Sequence, residues 1–317
     1  MKHVFVFEPR AFRGQQWKMD LILDDIGQFF RTQEMPDFSI EISRYRREAI
    51  VLIQKEVETA KDGDKVRVYA IGGDEILYDC VNGIADLPNT ELAVIPYGET
   101  SSFLRNFGED KDLLFKNIPA LVQHGEPIPT DIINWGVNYA LNSCYIGLNT
   151  AIAGKLREYK STLNKGSFIL LSKIMSFMNN FFTVFDKEIA AQQYRITIDD
   201  KDFSGSYSLI HIANGPFFSG KVTGLSTRAA LDDGLLDVAL VKSAHPFKTM
   251  WSLNRYSQGK ISSNCIIMQA KKIKIQSDRQ MWIQLDNEFI RDTDISIKVV
   301  PHAVQMVALE NLSYQKL

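Results

Sequence analysis

Excess positive charge is absent from this sequence. Its 36 lysines and arginines are set against 38 aspartates and glutamates, which gives a formal net charge of −2. Proteins that hold nucleic acid by its phosphates present a strongly basic surface. We therefore expect no nucleic-acid partner.

Cysteine and histidine are also scarce. The three cysteines, Cys80, Cys144 and Cys265, lie far apart among apolar neighbours, and the five histidines form no H-x-x-H or HExxH spacing. Buried free thiols in a reducing compartment fit this pattern better than disulfides. Any bound metal should therefore have oxygen ligands.

Long apolar runs are missing as well. The apolar stretch within the N-terminal MKHVFVFEPRAFRGQQW is too short for a signal peptide and has charges on both sides. Of the 317 residues, 45% are hydrophobic and 23% are charged, which is typical of a globular protein of about two domains. We expect a cytoplasmic location.

The first half of the chain alternates between strand and helix patterns. Runs rich in β-branched and aromatic residues end at turn residues and are predicted to be strands. Between them lie segments with apolar residues at helical spacing, for example Trp17, Leu21, Ile22 and Ile26. The predicted strands are HVFVFEP, FSIEIS, KVRVYAIGG and TELAVIPYG. This order predicts an α/β domain, doubly wound around a mostly parallel sheet.

A glycine turn follows the third predicted strand. Gly72-Gly73-Asp74-Glu75 matches the first letters of the GGDEF signature of diguanylate cyclases. There the motif forms the tip of a β-hairpin, whereas here a strand precedes it and a helical pattern follows, and the acidic partner motif is missing. The turn is either a phosphate cradle at a helix N-terminus or a tight strand-to-helix connection.

The second half of the chain consists mainly of short alternating runs split by turn residues. Examples are YRITIDDKDFSGSYSLIHIANG, LLDVALVK and ISIKVVPHAVQMVAL, and such runs predict antiparallel sheets. A helical interruption near 154–185 carries an apolar stripe that suits a core or a lipid-facing surface. Its apolar stretches are too short to span a membrane.

Several motifs then occur in a fixed order. GGDEILYDCVNGIAD resembles G-G-D-G-T-x-x-E-V-x-N-G, and LAVIPYGETSSFLRNFG resembles I-P-x-G-T-G-N-D-F-A-R-x-L-G. NSCYIGLNTAI, a long LDDGLLDV segment and IQLDNEF follow. Together they resemble the diacylglycerol kinase catalytic family, which includes bacterial lipid kinases and sphingosine kinases.

This resemblance implies a two-domain lipid kinase. An α/β domain at 1–130, onto which the tail at 303–317 packs back, would bind the nucleotide. A β-sandwich domain at 131–302, with the helical insertion near 154–185, would bind the lipid. The activity implied is Mg²⁺-dependent phosphoryl transfer from ATP to diacylglycerol or a long-chain base.

The resemblance also implies roles for individual residues. Asp286 and Glu288 match carboxylates near the reacting hydroxyl, and one of them would be the general base. Asp233, with the backbone carbonyls of Ala230 and Leu235, matches a structural Mg²⁺ site. The residues implied to lie around the nucleotide are Ser43, Gly72, Gly73, Asp74, Glu75, Asp79, Gly98 and Glu99.

The sequence departs from the family pattern at the phosphate loops. Glu75 and Ile76 replace the last two residues of GGDGT, Glu99 enters the second loop, and Glu8 stands in an early N-P motif. Asn287 replaces the D-G-E glycine and could adopt its left-handed conformation. A carboxylate about 4 Å from a phosphate charge costs roughly 1 kcal/mol in water and about 4 kcal/mol at an effective dielectric constant near 20.

Three hypotheses follow from these matches and departures. The protein is a working lipid kinase, a family member that binds lipid, nucleotide or a protein without transferring phosphate, or a related kinase with a non-lipid substrate. A lipid substrate implies transient peripheral contact with a membrane surface, although no polybasic segment indicates it independently. Exposed sheet edges would allow a homodimer.

Overall fold

The computed structural model describes residues 1–317 apart from 36, 62, 86, 99–101, 109–110, 161–191, 219–220, 223–224, 226–228, 311 and 316–317. Its helices are α1 (Gln16–Thr32), α2 (Glu48–Glu58), α3 (Asp74–Ile84), α4 (Asp112–Phe115), α5 (Ile118–His124), α6 (Leu148–Lys160) and α7 (Pro246–Ser257), with 3₁₀ turns at Pro9–Phe12 and Phe103–Phe107.

Most of the described strands join one mixed sheet. The strands are β1 (Lys2–Phe7), β2 (Phe38–Ile42), β3 (Val66–Gly72), β4 (Thr90–Pro96), β5 (Gly125–Asn134), β6 (Tyr139–Ala140), β7 (Ser143–Gly147), β8 (Gln193–Ile198), β9 (Lys201–Asp202), β10 (Gly205–Ala213), β11 (Phe217–Phe218), β12 (Lys221–Val222), β13 (Leu236–Lys242), β14 (Cys265–Ala270), β15 (Lys272–Leu285) and β16 (Glu288–Leu309).

The N-terminal part is the predicted parallel α/β unit. Its strands lie in the order β4-β3-β1-β2, and every pair among them is parallel. Strands β1 and β3 are almost wholly buried, as expected for a parallel sheet covered by helices. The prediction of a doubly wound domain is confirmed.

Only some of the apolar positions predicted for helix α1 are buried. Met19, Ile22, Ile26 and Phe30 face the core at helical spacing, whereas Trp17 and Leu21, which the pattern also counted as apolar positions, are 60% and 54% exposed. Only one stripe of this helix fits against the sheet, so the extra apolar residues face outward.

The C-terminal part is antiparallel and forms the predicted β-sandwich. Strands follow the order β14-β13-β10-β7-β15-β16, and neighbours pair in antiparallel register. One core cluster lies within the sandwich, and a second lies beneath α6 and α7. Most of the predicted helical insertion at 154–185 lies outside the described residues, and its first residues, 154–160, belong to α6, which begins earlier at Leu148.

Strand β16 joins both parts. It pairs with β15 and with β5, and its last stretch, Gln305–Val307, pairs in parallel with β4. Its register shifts between Val300 and Val304, where His302 has a left-handed φ of 52°. The predicted boundary at residue 130 falls inside β5 and stays a prediction.

A buried ion pair fastens β3 to β4. Arg67 Nη2 lies 2.7 Å from Glu91 Oε2, both side chains are about 5% exposed or less, and Arg67 Nη1 donates to the Leu121 carbonyl at 2.9 Å. Lys65, which is 56% exposed, contacts the same carboxylate at 3.1 Å. The Glu91 charge therefore depends mainly on Arg67 for compensation.

We expect Arg67→Met to lower the free energy of unfolding by about 3 kcal/mol, because it leaves the Glu91 carboxylate buried without its guanidinium. Lys65→Met removes the exposed partner of the same carboxylate and should cost less than about 1 kcal/mol. Urea unfolding of both variants measures the difference. Equal losses would contradict the assignment of the buried pair.

Candidate active site

The site lies where the parallel strands end. In a parallel sheet with helical connections, the carboxyl ends of the strands meet at one edge, and ligands bind there. Strands β1, β2, β3 and β4 run in the same direction, so Glu8, Ser43, Gly73 and Gly98, which follow these strands, come together at one edge. These four residues are far apart in the sequence and come together only through the pairing of the strands.

The glycine turn links β3 directly to α3. Gly73 is the residue before α3, and β3 ends at Gly72, which confirms a strand-to-helix turn instead of a hairpin tip. A Cβ added at Gly98 would lie 2.4 Å from Gly73 Cα, and one at Gly72 would lie 2.8 Å from Ile76 Cγ2. Gly98 is therefore required by the close approach of the two loops, whereas Gly72 leaves room for the Ile76 side chain of α3.

A carboxylate of the protein itself lies against this turn. The Gly73 N–H donates to Glu8 Oε2 at 3.5 Å, a long hydrogen bond. Arg10 Nη2 lies 3.2 Å from Glu8 Oε1 and 3.5 Å from Glu75 Oε2. Burial and the nearby Glu75 raise the pKa of Glu8. An anion at a helix N-terminus is favoured by the free N–H groups and the helix dipole, and here Glu8 supplies it.

Asp74 connects the turn to the following loop. It accepts hydrogen bonds from the Ser102 backbone N–H at 3.0 Å and from Ser102 Oγ at 2.8 Å. The carboxylate is therefore oriented by a loop that is distant in sequence. Glu99, one of the predicted nucleotide-site residues, lies outside the described residues.

Asp286 is held by three backbone N–H groups. It occupies the two-residue turn between β15 and β16, with φ at 48°. Its Oδ2 accepts the Leu141 N–H at 2.6 Å, and its Oδ1 accepts the N–H groups of Asn142 and Ser143, each at 2.9 Å. Desolvation raises the pKa of Asp286 to about 6, against the lowering effect of these donors.

The residue with left-handed backbone conformation in this turn is Asp286. The sequence pattern allows that conformation for Asn287 instead. A two-residue hairpin loop requires positive φ at its first position, its second, or both. Here the first position takes it. The Asp286 side chain then lies against the backbone N–H groups of Leu141, Asn142 and Ser143.

A cavity of about 130 Å³ separates the two parts of the chain. Carboxylates of both parts border it, Asp74 from the α/β part and Asp286 from the sandwich. The full lining is Asp74, Leu77, Tyr78, Ser102, Leu141, Asn142, Phe217, Gln284, Asp286 and Asn287. The predicted phosphate turn and the predicted base therefore face one space.

Glu288 is held differently from Asp286. Arg46 Nη2 donates to both of its oxygens at 2.8 and 2.7 Å, and Arg47 Nη2 donates to Oε1 at 3.1 Å. The Arg47 backbone N–H donates to Asp79 Oδ2 at 2.8 Å, and burial raises the pKa of Asp79. Two guanidinium groups thus clamp Glu288 beside a second, smaller cavity that Asp79 also lines.

Ser43 has its hydroxyl engaged elsewhere. It is buried, its N–H donates to the Phe7 carbonyl at 2.9 Å, and its Oγ donates to the Tyr45 carbonyl at 3.2 Å. Neither cavity just described includes it in its lining. Its predicted contact with a nucleotide stays a prediction.

The predicted Mg²⁺ site lies in the loop before β13. Asp233 Oδ1 accepts the Leu235 N–H at 3.0 Å, and its Oδ2 lies 3.5 Å from Gln269 Nε2. Asp131, which is buried, supports the loop by accepting the Gly234 N–H at 2.6 Å. Among the described residues, no group of three or more His, Cys, Asp or Glu side chains could hold a metal.

Sequence reasoning missed the partners of these carboxylates. Arg46 and Arg47 meet Glu288 across more than 240 positions of sequence, and Arg10 joins Glu8 to Glu75. The position of Glu8 could have been found, because it ends a strand parallel to the one that carries the glycine turn. The arginine contacts depend on tertiary packing that no local pattern shows.

Two family models match the chain. The diacylglycerol kinase catalytic domain matches residues 2–135, and the YegS C-terminal NAD kinase beta sandwich-like domain matches residues 172–308. A protein named "Putative lipid kinase" from Staphylococcus aureus (strain Newman) is 28% identical over 289 residues, which cover 86% of this chain and 87% of that protein. "Probable lipid kinase YegS-like" from Shewanella frigidimarina is 27% identical over 253 residues, 77% of each chain.

A solved structure has the same fold. The crystal structure described as "a putative diacylglycerol kinase from Bacillus anthracis str. Sterne" superposes with a TM-score of 0.70 at 20% identity, and the match covers 98% of each chain. The two family models follow one another along the sequence in the order that the motifs predicted. The chain thus combines a diacylglycerol kinase catalytic domain, matched over residues 2–135, with a YegS-type C-terminal sandwich domain, matched over residues 172–308.

Proposed function

We propose that this protein transfers the γ-phosphoryl group of ATP to the hydroxyl group of a lipid, either diacylglycerol or a long-chain base. The observation that carries the proposal is the position of Asp286. Its carboxylate borders a cavity that the glycine-turn residue Asp74 also borders. A proton acceptor and a phosphate turn on opposite sides of one space are the arrangement that phosphoryl transfer to a hydroxyl requires.

Asp286 is the better candidate for the general base. Its pKa of about 6 is close to neutrality, where a base is both largely ionised and able to take a proton. The charge of Glu288 is compensated by ion pairs with Arg46 and Arg47. Glu288 is therefore better suited to positioning, because these pairs hold the turn against the start of α2. The catalytic roles implied by the family resemblance are therefore divided between the two.

The backbone of the glycine turn fits a phosphate, but its charges partly oppose one. The Gly73 N–H and the N-terminus of α3 favour an anion, and Arg10 lies beside them. Glu8 now accepts that N–H, so bound phosphate would have to displace it. Arg10 would then face the phosphate in place of the carboxylate.

The Mg²⁺ site would consist of Asp233 with the carbonyls of Ala230 and Leu235. One oxygen of the Asp233 carboxylate accepts the Leu235 N–H. Hard cations bind mixed sets of carboxylate and carbonyl oxygens of the kind proposed here. Bound there, the ion would stabilise the loop that Asp131 supports.

The acceptor side of the cavity has apolar residues. Leu141 and Phe217 line it together with the polar groups around Asp286, and Leu77 of α3 faces the same cavity from the α/β part. Its volume of about 130 Å³ is below the roughly 300–1,000 Å³ of ordinary ligand pockets, so only the reacting end of a lipid fits there. The hydroxyl would enter and the acyl chain would remain outside.

The second candidate function is binding without transfer. The Glu8 contact with Gly73 favours it, because a built-in anion competes with the phosphates for the same N–H. In that case the protein would bind lipid through the sandwich and would have little affinity for ATP. Phosphoryl transfer requires that the protein bind ATP, so nucleotide binding distinguishes the two candidate functions.

Nucleotide binding and transfer can be measured on the full chain. We expect Mg²⁺ and ATP to raise the melting temperature, since ligand at 100 times its dissociation constant stabilises a fold by about 2.7 kcal/mol. With labelled ATP, the label should appear in diacylglycerol or a long-chain base presented in detergent micelles.

Each result decides between the two functions. A melting shift without label in either lipid would support nucleotide binding and contradict transfer to these lipids. No shift with millimolar ATP or ADP, together with no label, would leave binding without transfer as the function.

A further inference from the structure

Helix α7 has its apolar residues on the outside. Phe247, Met250 and Trp251 are 61%, 40% and 53% exposed, and their spacing of three and four residues places them on one face. Ile261, which follows the helix, is 48% exposed. Large apolar side chains grouped in this way on a protein surface mark an interaction site.

The opposite face fixes the helix to the sandwich. Leu253 and Tyr256 belong to the core beneath α6 and α7. The Tyr256 hydroxyl lies 2.6 Å from His211 Nδ1, and the His211 ring stacks on Tyr145 with centroids 3.9 Å apart. Tyr145 lies in β7, which begins at Ser143, one of the donors to Asp286. Helix α7 is thus connected through its buried face to β7, the strand whose Ser143 N–H donates to the proposed base.

The sequence segment that contains α7 carries charges of one sign. Between Asp237 and Asp278 the sequence contains no aspartate or glutamate, although the whole chain has a net charge of −2. The basic residues in this segment are Lys242, Lys248, Arg255, Lys260, Lys271, Lys272 and Lys274. Arg255 lies 5.0 Å from the centre of the Trp251 ring, so a cation borders the apolar face directly.

We propose that the outer face of α7, formed by Phe247, Met250 and Trp251, docks on the surface of an anionic lipid bilayer. An apolar helix face bordered by lysine and arginine is the composition that lies in the interface of such a bilayer. Tryptophan is enriched at that depth, and the surrounding cations attract anionic head groups. The proposal rests on the proposed lipid substrate, since docking would bring the site to the membrane that contains it.

Docking is peripheral in this proposal. No helix in the described part of the chain combines the length and the apolar character needed to cross a bilayer. The contact therefore depends on both the aromatic residues and the cations, and each contribution can be removed separately.

Vesicle sedimentation of the full chain, without nucleotide, tests the proposal. We expect binding to phosphatidylcholine vesicles that contain phosphatidylglycerol and at least tenfold weaker binding to pure phosphatidylcholine. Phe247→Ala with Trp251→Ala should weaken binding to the anionic vesicles at least tenfold. Lys248→Gln with Lys260→Gln should weaken it by about fivefold for each charge removed.

Trp17→Ala supplies a matched control. Trp17 is 60% exposed and Lys18 Nζ lies 5.4 Å from its ring centre, so it repeats the chemistry of Trp251 and Arg255 on α1. This variant should bind vesicles like the unaltered protein. The melting temperatures of all variants should stay unchanged, because the substituted side chains are exposed.

Three outcomes would overturn the proposal. They are no binding of the unaltered protein to anionic vesicles, an equal loss in the Trp17→Ala control, and a change of the molecular mass in solution caused by the α7 variants. The last would mean that a second copy of the chain covers this face. Vesicle binding without phosphoryl transfer would contradict the proposed function and leave the docking surface intact.

Discussion

Asp286→Asn should lower the rate of phosphoryl transfer by about 10²- to 10⁴-fold, the contribution expected of a general base. Asparagine keeps an oxygen for the N–H groups of Asn142 and Ser143 and loses the acceptor for Leu141. Loss of one buried acceptor costs about 1–3 kcal/mol, so the variant should stay folded. The measurement is the initial rate at saturating ATP and lipid, with melting temperature as the check on folding.

The pH profile separates this role from a structural one. Because the raised pKa of Asp286 is about 6, the unaltered protein should lose activity about tenfold for each pH unit below that value as the base becomes protonated. The residual activity of Asp286→Asn should lack this fall. Glu288→Gln, in which the Arg46 and Arg47 contacts are weakened, should lose less than about tenfold. If Glu288→Gln were inactive and Asp286→Asn active, Glu288 would be the base.

Glu8→Gln should tighten ATP binding. Removing one negative charge about 4 Å from a phosphate charge gains roughly 1 kcal/mol in water and about 4 kcal/mol at an effective dielectric constant near 20. These values correspond to an increase in affinity of between about fivefold and about 1,000-fold. Glutamine keeps the size of Glu8 and leaves Arg10, now 3.2 Å from the Glu8 carboxylate, available to the phosphate.

Titration calorimetry with ATP and Mg²⁺ measures this effect. Glu75→Gln is the matched control, because Glu75 also contacts Arg10 but its side chain is 38% exposed, against 7% for Glu8. Solvent screening at Glu75 should limit the gain to less than about fivefold. Weaker ATP binding by Glu8→Gln would show that the carboxylate assists the nucleotide, through a bridging cation for example.

The α/β part could be predicted from the sequence because its strand patterns, helical periodicity and turn residues all indicate the same elements. In β1 and β3 the β-branched and aromatic residues are buried as the pattern predicts, and Gly72-Gly73 marks the start of α3. The position of Asp286 followed from a motif. Its three backbone donors did not, because they come from residues more than 140 positions away.

Helix α7 was not predicted, and its side chains explain why. The buried face of α7 combines Thr249 and Ser252 with Leu253 and Tyr256. Phe247 and Trp251 face outward, so apolar residues lie on both faces of the helix. Periodicity assumes that apolar residues point to the core. The short helices α4 and α5 have too few turns to show a period at all.

Strand β16 has a consequence for how the chain is assembled. Its final residues supply the neighbour of β4, so a polypeptide that stopped after β5 would leave β4 with an open hydrogen-bonding edge. The N-terminal domain thus acquires its last strand only after the strands of the sandwich have been synthesised. Until then, the emerging α/β unit offers a template for pairing with another molecule.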